Sequence, residues 1–105
     1  MGYDSMKLSP YRGKSEKRFT ATFITFLNRD TKKEKKVHFG QRGGRTYIDP
    51  EVGPIARDAW HARHSKAGEN WNDPVTAGAL SKHILWGDSK SLTTNYNQFK
   101  KRFNL

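Results

Sequence analysis

Residues 60–86, WHARHSKAGENWNDPVTAGALSKHILW, hold all three tryptophans of the chain, Trp60, Trp71 and Trp86, and three of its four histidines, His61, His64 and His83. Tryptophan buries more area than any other side chain and dominates a small core once it is inside. Only 33% of the 105 residues are hydrophobic, so the core has to be assembled around these rings. Within the stretch, Asp73 and Pro74 read as N-cap and first position of a helix that runs to about Trp86, where Gly87 ends it. Leu80 and Ile84 share one face of that helix, and Leu85 and Trp86 widen it. Gly78, in mid-helix, implies a close crossing by another element.

Working outward toward the C-terminus, Ser89 or Ser91 caps a further helix reaching about Phe103. Leu92, Tyr96, Phe99 and Phe103 recur at helical spacing and form the cleanest apolar stripe in the chain. Lys100, Lys101 and Arg102 crowd its last turn, where cations complement the helix dipole. Toward the N-terminus, Pro54–His64 reads as a helix with Ile55, Ala59 and Ala62 in one stripe and Gly68 as its stop. The predicted core is Trp71, Leu80, Ile84, Trp86, Tyr96, Phe99 and Phe103, in contact with Phe23 and Val37.

Residues 18–28, RFTATFITFLN, read as a strand with apolar residues on both faces. Lys35–Phe39 reads as a second strand after the polar turn 29–34, giving an antiparallel hairpin. Two strands alone are marginal, so the hairpin has to pack on the helices. Residues 1–17 have no periodicity and carry scattered Lys and Arg. They read as an extended basic arm in which Tyr3, Leu8, Tyr11 and Arg12 are spaced to anchor on a partner. Such an arm reaches roughly 55 Å when extended. The fold expected is therefore α+β: a small antiparallel hairpin on about three short helices, residues 18–105, behind an arm at 1–17.

The net charge is +10, and residues 46–89 carry four Lys/Arg against six acids. The positive charge thus sits on the arm, on residues 29–45 and at the C-terminus, which favours a polyanion or an acidic protein face. Residues 40–45, GQRGGR, lack the spacing and the Lys-Ser/Thr ending of a Walker phosphate cradle. They read as a turn exposing Arg42 and Arg45, which join Lys100, Lys101 and Arg102 as candidate contacts to phosphates or acidic partners. Tyr47, beside Arg42 and Arg45, is the better candidate for stacking a base.

No cofactor or metal is expected. His61 and His64 lie one helical turn apart, but the further ligands a zinc site needs, from His83, His38, Glu69 or Asp73, fall at no diagnostic spacing. The acids are scattered and no serine resembles an activated nucleophile, so no enzymatic activity and no small-molecule substrate are expected. The chain has no cysteine, which excludes disulfides. No apolar run is long enough for a signal peptide or transmembrane helix.

The segments KKVHFG (35–40), YIDP (47–50), ARH (62–64), ENWNDPVTAGALSKHILW (69–86) and FKKRFNL (99–105) together resemble a family of small proteins of unknown function from nucleocytoplasmic large DNA viruses. The resemblance covers about two thirds of the chain. It departs between Thr46 and Trp60, and residues 1–30 lie outside it. It implies a viral origin and brings no activity or catalytic residues with it. The expectation that follows is a virion component made in the host cytoplasm, foremost a minor capsid protein bridging larger capsid subunits through their acidic faces. The alternative is a basic DNA-binding protein packaged with the genome.

Overall fold

Phe19, Ala21 and Phe23 share one face of Phe19–Phe26, with Thr20 and Ile24 buried on the other, as suits the middle strand of a three-stranded antiparallel sheet. A computed structural model of the chain describes residues 3–65 and 71–105. Gly68 and Glu69 lie outside them. The strands are β1 (Ser5–Pro10), β2 (Phe19–Phe26) and β3 (Lys32–Phe39), in the order β1-β2-β3. Three α-helices follow among the described residues: α1 (Pro54–Ser65), α2 (Ala77–Leu80) and α3 (Leu92–Arg102). The expected α+β class is the class observed.

The sheet has one strand more than the expected hairpin. Ser5–Pro10, expected within an arm outside the fold, pairs along its length with β2, setting Met6 opposite Phe23 and Leu8 opposite Ala21. Met6 is buried, and its carbonyl accepts a hydrogen bond from the Tyr96 hydroxyl at 3.1 Å. Asp4 donates its backbone N–H to Ile24 O and accepts from the Phe26 N–H through its carboxylate. Helical and strand periodicity in 1–17 is too weak to announce this strand. Its pairing is supplied by β2, which would otherwise present an unpaired edge.

Phe23, Phe39, Leu80, Ile84, Leu85 and Phe99 form the fully buried centre, between the inner face of the sheet and the second half of the chain. Trp60, Trp86 and Val52 close one side of it. Trp71, Tyr96, Phe103 and Val37 pack against this cluster while remaining partly exposed.

The helices depart from expectation in two places. Helix α1 buries Arg57, Trp60, His61 and His64 to differing degrees, spaced one turn apart, while Ile55 is 85% exposed. The rings and the guanidinium find both packing and hydrogen bonds there, which a stripe of alanines cannot match. Helix α2 begins at Thr76, whose hydroxyl accepts from the Ala79 N–H. Asp73, the expected cap, instead accepts from the Val75 N–H in the preceding loop.

Helix α2 then widens into a π-helical turn, Ser81–Leu85, closed by the Trp86 N–H on the Ser81 carbonyl at 2.9 Å. Such turns are rare and recur at functional sites. In this one Lys82 and His83 stay partly exposed, His83 with its ring against Phe99 and Phe103, while Ile84 and Leu85 are buried. Gly87 follows it. A Cβ there would run into the His83 carbonyl and stand 2.8 Å from Asn95 Cγ, so only glycine fits.

Candidate anion-binding face

The loop 40–45 is shaped by two glycines with positive φ, Gly40 at 78° and Gly43 at 80°, a region that side chains disfavour. At Gly40 space is short as well: a Cβ would lie 2.9 Å from Leu85 Cδ1. The Arg42 N–H donates to Glu16 O, which ties the loop to the segment before β2, and the Gly44 N–H donates to Gln41 O within the loop, closing a turn.

Beneath it the Asp49 carboxylate collects four hydrogen bonds. Two come from the Arg18 guanidinium, at 2.8 and 3.2 Å, and two from the Thr46 N–H and hydroxyl, at 2.7 and 3.0 Å. The Arg18 bonds above all hold the Asp49 pKa down at about 2. Arg18 is thereby neutralised, whereas Lys17, Arg42, Arg45 and Arg63 form no ion pair among the described residues.

Between this loop and helices α1 and α2 runs a groove of about 600 Å³. Lys17, Arg45, Arg63 and His64 line it, together with Gly40, Gly44, Gly78 and Ser81. No acidic residue is among its described lining. Its floor is aromatic. The rings of Trp60 and Trp86 stack at 5.4 Å and 12°, and His64 stacks on Trp60 at 3.9 Å and 17°.

The three histidines of this region each meet a tryptophan carbonyl. His61 Nε2 lies 2.7 Å from Trp86 O, His64 Nδ1 lies 2.9 Å from Trp60 O, and His83 Nε2 lies 3.1 Å from Trp71 O. A carbonyl can only accept, so each of these nitrogens carries the proton. Among the described residues no group of His and acidic side chains is placed to hold a metal.

The cations singled out from the sequence do not gather in one place. Arg42 and Arg45 share a smaller pocket of about 390 Å³ with Arg18 and Asp49, and of the two only Arg45 reaches the groove. Lys100 lies over the Tyr96 ring at 4.6 Å and Arg102 near the Phe103 ring at 5.8 Å. Arg102 lines a separate pocket, and Lys101 is exposed. Tyr47, the stacking candidate, has Lys90 at 4.7 Å and Arg57 at 5.6 Å from its ring.

The residues read as partner anchors make contacts within the chain. Tyr3 packs on Phe23 at 5.4 Å, and Leu8 lies against the core. The Tyr11 ring meets His38 at 4.6 Å while its hydroxyl bonds Ser15 at 2.8 Å. Arg12 is exposed beside a shallow hollow on the outer face of the sheet that Lys36 and His38 also line.

Sequence reasoning missed Lys17, Arg63, Lys82 and Arg57 as members of basic clefts. It also missed Asn95, which is wholly buried. Asn95 Nδ2 donates to Ile84 O at 2.9 Å and Ser89 O at 2.7 Å, and its Oδ1 accepts from the Ser89 N–H at 3.0 Å. A signal was present: Asn95 stands three residues after Leu92 and four before Phe99, so it lies on the core stripe.

The chain is 40% identical over 57 residues to an uncharacterized protein of Acanthamoeba polyphaga mimivirus. The similar region is half of this chain and 56% of the relative, so the chain spans little more than half the length of the protein it matches. No protein-family description and no solved structure matches the chain. Among the described residues no helix is long and apolar enough to cross a membrane.

Proposed function

We propose that this chain is a non-enzymatic, sequence-independent binder of nucleic-acid backbones in the setting of a large DNA virus. The observation that carries this reading is the groove. Lys17, Arg45 and Arg63 converge there with no acidic residue among the described lining, and Asp49 nearby is already paired with Arg18. Phosphate contacts of that kind position a strand without reading its sequence. The rings on the floor are stacked on one another and largely buried, so they stiffen the groove and leave the charges to make the contact. The similarity to a mimivirus protein supports the viral setting, and membership of the small-protein family with the HFG, ENW, TAG and ILW motifs is part of the same proposal.

Each cation that neutralises a phosphate releases a counterion, so three groove contacts give a slope of log K against log salt of about −2.7 on duplex DNA. Measuring that slope tests the proposal. Arg45→Gln and Arg63→Gln are each expected to reduce it by about 1. A slope unchanged in both variants would remove the groove from the interface.

A second reading, a minor capsid protein bridging larger subunits in the virion, has its own support. Phe26 and Leu27, adjacent at the tip of the sheet, are 58% and 52% exposed, and Ile55 is 85% exposed. Isolated apolar residues are common on surfaces, but two together at a strand tip suit a protein contact. Weak DNA binding at physiological salt, with retention of the protein in shells emptied of genome, would favour this reading over the first.

A further inference from the structure

A second basic cavity, apart from the groove, opens between α1, the π-helical turn and α3, with a volume of about 440 Å³. Arg57 and His61 enter it from α1, Lys82 and His83 from the π-helical turn, and Arg102 from the last turn of α3. The one carboxylate among its described lining is Asp88, held by the Arg57 guanidinium at 2.9 Å. Three permanent cations therefore face one carboxylate. A metal site would not be lined by cations.

The groups in the cavity are also held in place. Arg57 Nε donates to Gly87 O at 2.7 Å, and Lys82 lies 5.0 Å over the Trp71 ring. His61 and His83 each use Nε2 on a tryptophan carbonyl, so the Nδ1 atoms have no partner among the described residues. The pKa of His83 is lowered, first by burial and then by the charges of Arg102, Lys82 and His61, with the Trp71 carbonyl acting the other way. The groups facing His83 are thus cationic or neutral from α1, from its own turn and from α3, and an anion among them would relieve the repulsion.

The volume exceeds what a bare phosphate needs and falls in the range of small-molecule sites, roughly 300–1,000 Å³. A neighbouring cavity of about 280 Å³ shares His61 and Lys82 with it and is walled by Trp60 and Trp71. Cations on one side and indole rings on the other match a phosphate joined to a nucleobase. We infer that the cavity between α1, the π-helical turn and α3 binds a nucleotide through its phosphomonoester, held by Lys82 and Arg102, with the base toward Trp71. The phosphomonoester comes either from a free nucleotide or from the phosphorylated end of a strand.

The test follows the His83 ring by NMR in the full chain while adenosine monophosphate, adenosine, inorganic phosphate, or a short oligonucleotide with and without a 5′-phosphate is added. Adenosine monophosphate is expected to bind more tightly than inorganic phosphate, adenosine not to bind, and the His83 pKa to rise on binding. Lys82→Gln and Arg102→Gln should each weaken adenosine monophosphate about tenfold, the loss of one charge-assisted contact, while Arg63→Gln in the groove should leave it unchanged. Arg102 is exposed, so its variant tests the contact without endangering the fold. An oligonucleotide bound tighter for its 5′-phosphate, with the gain lost in Arg102→Gln, identifies a strand end as the source. Equal binding of both oligonucleotides beside tight adenosine monophosphate identifies the free nucleotide. No response of His83 to adenosine monophosphate, equal binding of adenosine, or unchanged affinity in both cavity variants would overturn the assignment. Inorganic phosphate binding as tightly as the nucleotide would do the same for the base.

Discussion

Replacing Asn95 by aspartate changes almost no volume and reverses the polarity of one atom. The asparagine is fully buried and donates to Ile84 O at 2.9 Å and Ser89 O at 2.7 Å. In Asn95→Asp both carbonyls lose their donor and, at neutral pH, face a carboxylate oxygen instead. Each unsatisfied buried group costs about 1–3 kcal/mol, so the variant should lose about 2–6 kcal/mol at pH 7, a large share of the roughly 5–15 kcal/mol typical of a domain. Protonation restores one donor, so the aspartic acid should have a raised folded pKa. A raised pKa contributes stability below the unfolded value of about 3.9 that is lost as pH rises through the folded value. The deficit relative to the native chain should therefore grow between pH 5 and pH 7. Urea denaturation followed by tryptophan fluorescence measures it, and the m-value should stay constant if only stability has changed. A deficit under about 0.5 kcal/mol at pH 7, or one that shrinks as pH rises, would refute the claim that Asn95 clamps the turn through donated hydrogen bonds.

Asp49 carries the opposite dependence. Its pKa is lowered from 3.8 to about 2 by Arg18, so its stabilisation is present above about pH 4 and lost as pH falls through about 2. Asp49→Asn should be about 1–2 kcal/mol less stable at neutral pH, with the difference shrinking below about pH 4 and gone only below about pH 2, as read from acid denaturation of both proteins. Removing residues 1–10 takes away β1 with the buried Met6 and the anchor of Tyr96. It should lower the thermal midpoint by several degrees; an unchanged midpoint would mean that the segment is an independent arm after all.

The periodic parts of the chain are legible in the sequence itself. The run of aromatic and β-branched residues over 18–28 placed β2, and Leu92, Tyr96, Phe99 and Phe103 placed α3, with its cap left between Ser89 and Ser91, because both signals are local; the structure selects Ser91. The α+β class followed from the same reading, whereas the tryptophans, expected at the centre of the core, lie at its side: Phe23, Phe39, Leu80, Ile84, Leu85 and Phe99 fill the centre. Other features depended on partners distant in sequence. Ser5–Pro10 becomes a strand only because β2 offers it an edge. The π-helical turn lets consecutive residues face outward and inward in a way that simple α-helical periodicity does not announce. The basic clefts were the least legible, since Lys17 meets Arg63 and Arg57 meets Arg102 only when loop, helix and C-terminus are brought together. Net charge can be counted along a chain, but whether a given cation is free or neutralised depends on which carboxylate the fold sets beside it. Tertiary structure alone decides that Arg18 is paired with Asp49 while Arg45 faces an open groove.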